Sequence, residues 1–399
     1  MQRRRLTILS LLHLVTDCYT MFAIAMWLPL QRTLGLDGGQ TGLLLALGLI
    51  PANVLQPLYG AFSDRFDAKW LVVIGPLLMV VCYSLLGLSK AVPLTLFLLL
   101  VGAAGSGMFH PEATTLAGRF GATGSSKAMA LFLTGGFIGQ TIGPSWISWT
   151  ITGADHGFED SWRTIFPGLI IVAMGAAMVA RLPSEQPWQR AGWGRSLVNV
   201  LAGRQRAVWC LVMMNVMRWV GLMLIMSTLP LYLDQKYSPL EDGEMVQRHV
   251  GVWMSMFLAG QGTGILAGGL LSRAHRERVP LLVAFLIALL PAWLLPFVHG
   301  GVAMAMLFAT GLCVGWTIPL AIHLGQSILP GGERWISGML IGFSWGVGSL
   351  LSPPLAGYLC ETYSADRSLM SGALALTAAL VLAVLLPRQS TLNRLKSQA

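Results

Sequence analysis

Gly107-Met108-Phe109-His110-Pro111-Glu112 and Gly315-Trp316-Thr317-Ile318-Pro319-Leu320 stand 208 positions apart and share a Gly-x-x-x-Pro frame. Proline removes a backbone donor and crowds the carbonyl four residues back, which in both copies belongs to the glycine. Matched bends are therefore expected at Pro111 and Pro319. Ser63 is answered by Ser272 and Pro144 by Pro353, each 209 positions on, and Leu28-Pro29-Leu30 by Leu229-Pro230-Leu231, 201 positions on. A longer polar loop in the second copy, around Ser238 to Arg248, absorbs the change of offset. The chain reads as two superposable halves.

The titratable residues do not follow this repeat. His110 is answered by Ile318, Glu112 by Leu320, and Asp17 by Arg218. The bend is shared architecture, whereas the charge belongs to particular positions. Ionisable groups inside apolar helices are costly and mark functional sites by default. Parallel halves are one recurrent plan of membrane transporters, with substrate held at the midplane between them.

Composition fixes the class. Of 399 residues, 55% are hydrophobic and 11% charged, against about 25% charged in soluble domains. Twelve stretches are long enough to span a bilayer, which takes about 20 helical residues: near 6–30, 40–62, 70–89, 92–118, 126–152, 162–181, 207–233, 249–271, 279–298, 301–327, 335–359 and 367–387. The expected fold is an all-α membrane protein with twelve transmembrane helices in two six-helix bundles, residues 1–181 and 207–399, joined by a linker at 182–206. No cleavable signal peptide is expected, because the first apolar stretch runs past any short h-region without an Ala-x-Ala-like site.

The net charge of +9 is explained by where the bases fall. Assigned to alternate loops, nineteen of the 26 Lys and Arg share a side with the termini, six lie opposite, and Arg218 lies within an apolar stretch. Both termini are therefore expected in the cytoplasm, and no nucleic-acid partner is expected. The five cysteines, Cys18, Cys82, Cys210, Cys313 and Cys360, sit in or beside apolar segments without metal-like spacing and read as small apolar fillers. No metal or cofactor motif is present. The Gly-rich stretches lack the Gly-Lys-Ser/Thr ending of a phosphate loop, so ATP hydrolysis has no support.

Candidate chemistry gathers on few segments. His13 and Asp17, four apart, stack on one helix face. Histidine titrates near neutral pH and can relay a proton to a carboxylate. On a straight helix His110 and Glu112 diverge by about 200°, and the bend at Pro111 alters that. Asp17, Glu112, His13 and His110 are the proton-coupling candidates. Each also has a structural reading: a hydrogen bond between helices for Asp17, a locking salt bridge for Glu112, a satisfied core imidazole for the histidines. Arg218 offers a planar donor fork suited to carboxylate or phosphonate. It either neutralises an acid of the first half or binds an anionic substrate. His323, near a segment end, reads as structural. Small residues at Gly135, Gly139 and Gly143 permit close helix contact. Asp64 and Arg65, between the second and third segments, are gating candidates, since a contact between Asp64 and a helix terminus can form in one state and break in another.

These features resemble the major facilitator superfamily: two six-helix halves, the Gly60-x-x-x-Asp64-Arg65 loop and Gly139-x-x-x-Gly143-Pro144 in the fifth segment, as in exporters. His13-x-x-x-Asp17 with Phe109-His110-Pro111-Glu112 is similar to the fosmidomycin-resistance group of drug exporters. The loop departs from the pattern, with Asp67 where Gly is usual and Ala68 where a base is usual. The resemblance implies alternating access, with the first, fourth, seventh and tenth helices lining a central cavity and Asp17, Glu112 and Arg218 directed toward it. Trp219 and Trp316 would line the same space. With Gln140 and Arg218 they are the substrate-binding candidates, although aromatic core packing is the plain alternative for the tryptophans.

The expected function is a proton-coupled exporter of a small anionic or amphiphilic compound, not an enzyme, driven by the proton gradient without a cofactor. Small-molecule substrate, protons and membrane lipid are the expected partners, and a monomer in the bacterial inner membrane the expected state. An importer of a small organic anion with the same fold and a non-transporting receptor or assembly partner are the alternatives.

Overall fold

The computed structural model describes residues 2–55, 58–59, 68–120, 126–153, 157–183, 203–271, 277–329 and 333–387. Asp64, Arg65 and most of the linker lie outside the described residues. Each of the twelve apolar stretches carries helix, and among the described residues there is no strand. A helix satisfies its backbone donors and acceptors within one segment, as a hydrocarbon environment requires. The helices are α1 (Gln2–Ala25), α2 (Gly38–Asn53), α3 (Leu71–Leu88), α4 (Val92–Phe120), α5 (Ser126–Thr152), α6 (Gly157–Val179), α7 (Gln205–Tyr237), α8 (Gly243–Leu271), α9 (Arg278–Phe297), α10 (Gly300–Ile328), α11 (Trp335–Thr362) and α12 (Ala365–Leu385). Among the described residues, ten are long and apolar enough in composition to cross a bilayer by themselves. Several run past the apolar stretch, α7 at both ends, because backbone hydrogen bonding continues where side chains turn polar.

The α1–α2 connection is short and chemically specified. After α1 the short helix Trp27–Leu34 ends at Gly35, whose φ of +63° only glycine adopts freely. Asp37 then caps α2: its Oδ1 accepts from Gln40 N at 2.6 Å while Gln40 Oε1 accepts from Asp37 N at 3.2 Å. The chain turns by 114° there.

By packing, the chain falls into two compact units. The first is Met1–Gln189 with Leu229–Ser255; the second is Arg190–Thr228 with Met256–Ala399. In the first unit α1 lies against α5, and the glycine stripe is the reason. Cβ atoms on Gly135, Gly139 and Gly143 would run into the carbonyl oxygens of Ser10, Leu14 and Cys18, four-residue steps on both helices. Such contact brings backbones together, and packing rather than hydrophobicity drives helix association in lipid.

The segment 229–255 is tied to this unit by polar side chains. Arg32 Nη2 meets Asp234 Oδ1 at 2.6 Å. Gln247 Nε2 donates to Ala25 O and Ser148 Oγ at 2.8 and 2.9 Å. Arg248 donates to the Thr152 hydroxyl and carbonyl at 2.9 and 3.1 Å and sits over the Trp149 ring.

In the second unit a buried core joins Leu211 and Val212 of α7, Phe285 of α9, Leu324 and Ile328 of α10, Leu340 of α11 and Ala379 of α12. Glycines again set the approach: Gly260 and Gly264 of α8 press on the Phe308 and Leu312 carbonyls of α10. Helix α11 contains one π turn, Met339–Phe343. Large apolar side chains such as Phe97, Ile170, Leu286, Leu290 and Val381 are exposed, as on a protein whose outer surface faces lipid.

Gly139→Ala places a methyl against the Leu14 carbonyl, so it is expected to lower stability by about 1–3 kcal/mol through overpacking. Thermal unfolding of the detergent-solubilised protein checks this; an unchanged midpoint would contradict the close α1–α5 contact.

Candidate functional site

Close approach of α1 and α5 fixes where Asp17 can look. Its carboxylate is buried, 6% exposed, and is met from three helices. His13, one turn earlier on α1, places Nε2 3.4 Å from Oδ2. His110 on α4 places Nε2 3.2 Å from Oδ1. Gln140 on α5 donates Nε2–H to Oδ2 at 2.8 Å. Gly136 makes room for this: a Cβ there would lie 2.6 Å from the His13 ring and 2.7 Å from Asp17 Oδ2.

The second nitrogen of each imidazole decides the chemistry. His13 Nδ1 lies 2.8 Å from the Phe132 carbonyl oxygen, and His110 Nδ1 lies 2.8 Å from the Ser106 carbonyl oxygen. A carbonyl only accepts, so each Nδ1 must carry the hydrogen, a tautomer assigned from its partner. In a neutral ring so fixed, Nε2 is a lone pair, and here it faces a carboxylate oxygen. Acceptor against acceptor repels. Each contact becomes attractive only with a proton in it, on nitrogen or on oxygen. The cluster therefore has two places for exchangeable protons, and its net charge runs from −1 with neither to +1 with both. With one proton it is neutral, the state best suited to a buried site.

Aromatic rings wall the cluster. His13 stacks on Phe132 with centroids 4.2 Å apart and meets His110 edge-on at 5.3 Å, and Phe109 closes a further side at 5.8 Å. Low polarity around a hydrogen-bonded group strengthens its interactions and makes an unmatched one costly. The three ligand atoms of His13, Asp17 and His110 all lie within 4.8 Å of one another. Two rings and a carboxylate at that spacing can also take a divalent cation, whose charge would stand in for the protons.

The remaining sequence candidates lie on α4, α7 and α10. Glu112 is buried at 6% exposure on α4, two residues beyond His110. Pro111 and Pro319 lie inside the continuous helices α4 and α10. Arg218 and Trp219 belong to the second unit, where the guanidinium sits 4.6 Å over the Trp219 ring and Trp219 stacks on Trp345 at 4.8 Å. Trp316 packs against the apolar core of that unit. His323 Nδ1 lies 2.9 Å from Oε1 of the buried Glu277.

Three participants had no role in the sequence reading. Phe132 contributes through its carbonyl, which no side-chain pattern signals. Gly136 lies in the glycine-rich run, but nothing in its spacing says which side chain it faces. Asn215, whose Oδ1 accepts from Arg218 Nε and Nη2 at 2.8 and 2.5 Å, stands three residues before it, about one helical turn away, and that spacing was a usable signal.

The sequence profile described as the Major Facilitator Superfamily matches residues 9–334. The chain belongs to that superfamily. Among curated relatives it is similar to the "Fosmidomycin resistance protein" of Escherichia coli (strain K12), 24% identical over 347 residues, covering 86% of this chain and 83% of the relative. It is similar to the "Uncharacterized MFS-type transporter YfnC" of Bacillus subtilis (strain 168), 23% identical, covering 86% and 84%. Solved structures share the fold. A bacterial homolog of the human lysosomal transporter Spinster, inward-facing and unoccupied, aligns with a TM-score of 0.70 at 15% identity over 100% of this chain and 97% of that one. A point mutant of the nucleoside transporter NupG aligns with a TM-score of 0.72 at 16% identity, over 96% and 99%. The superfamily members matched are transporters, and this chain is a multi-pass membrane protein of that kind.

Gly136→Val forces the His13–Asp17 pair aside. Displacements near 1 Å cost up to about 10²-fold in rate at organised sites, so transport in proteoliposomes is expected to fall at least about tenfold. Wild-type transport by Gly136→Val would show that the cluster's geometry does not matter.

Proposed function

We propose that this chain is a proton-coupled exporter of a small anionic or amphiphilic compound from the bacterial cytoplasm, set in the inner membrane with both termini cytoplasmic. The observation that carries this reading is the Asp17 cluster, in which two tautomer-fixed imidazoles and a carboxylate share exchangeable protons inside an apolar bundle. The proton gradient supplies the energy, and no cofactor enters. The name of the Escherichia coli relative supports efflux as the direction and fosmidomycin as the first compound to try.

The physical link between protons and motion is charge. Each proton changes the buried charge of the cluster by one unit, and a conformation that dries the cluster favours the neutral count over the others. A ligand or proton shifts a two-state equilibrium only by its difference in affinity for the two states. Protonation of Asp17 or its rings supplies such a difference. Glu112, buried on α4, is the second acid of the cycle. The ties from Arg32 to Asp234 and from Gln247 and Arg248 to α1 and α5 are the contacts to be broken and remade during that cycle.

Everted membrane vesicles test the reading. With an acidified lumen, fosmidomycin is expected to drive proton release through the wild type and not through Asp17→Asn, with a reduced rate for Glu112→Gln. An amide at position 17 still donates to one ring nitrogen, so Asp17→Asn is expected to fold. If both variants leave drug-driven proton movement unchanged, the proposed coupling is wrong.

A further inference from the structure

Arg218 of α7 is the largest buried cation of the second unit, and its surroundings account for only part of its hydrogen-bonding capacity. The residue is 1% exposed. Nε and Nη2 both donate to one acceptor, Asn215 Oδ1, at 2.8 and 2.5 Å. Asn215 is itself held: its Nδ2 donates to the Leu340 carbonyl in the π turn of α11. π turns recur at functional sites, and here the altered backbone supplies the anchor for Asn215. The amide is thereby fixed with its oxygen toward Arg218.

This arrangement uses the side-on fork of the guanidinium and leaves the end-on fork. Nη1 is buried with no hydrogen-bond partner, and so is the indole N–H of the neighbouring Trp219. The guanidinium face is taken by the Trp219 ring. Asn215 is neutral, and no carboxylate is placed on Arg218 among the described residues. A buried donor without an acceptor costs about 1–3 kcal/mol, more when charged, and native proteins keep few of them. Both orphan donors belong to adjacent residues, and both call for an oxygen. One planar fork suits the two oxygens of a carboxylate or phosphonate.

We propose that Arg218 and Trp219, with Asn215 as the positioning residue, form a receptor for a soluble organic oxyanion carried on an aromatic or apolar body. The Trp219–Trp345 stack supplies an apolar surface for that body. The inference rests on the transporter reading and names the chemical class of its cargo. Arg218 is closed over in this structure, so the anion enters in the state that opens this face of α7.

Equilibrium binding tests it, on the full-length protein in phosphatidylcholine nanodiscs, without a proton gradient. Phenylphosphonate and benzoate are titrated calorimetrically, with uncharged benzamide as control. Both anions are expected to bind the wild type at least about tenfold more tightly than benzamide. Arg218→Lys replaces the fork by a point charge and is expected to lose tenfold or more. Asn215→Asp is the sharper variant: nearly isosteric, it gives the guanidinium a carboxylate of its own. It should keep or raise the unfolding midpoint while losing anion affinity tenfold or more; a purely structural Arg218 predicts no change in affinity. The proposal is overturned by benzamide binding as well as benzoate, by no anion binding to the wild type, or by wild-type affinity in both variants. It is also overturned if added phosphatidylglycerol, and no soluble anion, raises the unfolding midpoint. Failure here leaves Asp17-dependent proton movement standing, whereas anion binding with Asp17→Asn fully coupled would defeat the proton reading alone.

Discussion

A carboxylate well inside a bilayer costs roughly 2.5 to 3.5 kcal/mol on insertion scales, and the arrangement around Asp17 is a solution to that constraint. Three side chains from three helices reach its two oxygens. Two of them are imidazoles whose Nδ1 hydrogens are already given to the carbonyls of Phe132 and Ser106. Those backbone contacts hold each ring in the tautomer that cannot satisfy the carboxylate without an added proton. Had either ring been free to turn Nε2–H toward Asp17, a neutral histidine and an ionised aspartate would have sufficed and nothing need be exchanged.

The helix packing serves the same constraint. Gly135, Gly139 and Gly143 bring α5 onto α1, and Gly136 and Gln140, on the same helix, then stand against His13 and Asp17. Stability and site are thus set by one interface. The second unit follows a parallel logic with a different charge. There a neutral amide, anchored by a π turn, aims a guanidinium rather than quenching it. One half holds an acid with protonatable neighbours; the other holds a base with orphan donors.

Much of the fold was legible in the sequence, because bilayer thickness imposes a length on every apolar stretch and the proline frames at 107–111 and 315–319 record a repeat. The pairing of His13 with Asp17 was legible for a local reason: residues four apart share a helix face. His110 was readable as a candidate and not as a partner, since its direction depends on how α4 rotates against α1. Gln140, placed among substrate contacts by the sequence reading, donates to Asp17. The role of the Phe132 carbonyl, the fit of Gly136 and the π turn that anchors Asn215 were invisible. They arise from interhelical distances of a few ångströms, which no spacing along one segment encodes. Asp64 and Arg65 lie outside the described residues and are gating candidates by sequence alone.

The tautomer assignment is the central claim, and nitrogen-15 NMR of histidine-labelled protein tests it most directly, with His13→Gln and His110→Gln variants to assign the two rings. Both neutral rings are expected to carry the hydrogen on Nδ1, with Nε2 bare, in the wild type and in Asp17→Asn alike. A neutral ring carrying its hydrogen on Nε2, with Nδ1 bare, would contradict the account.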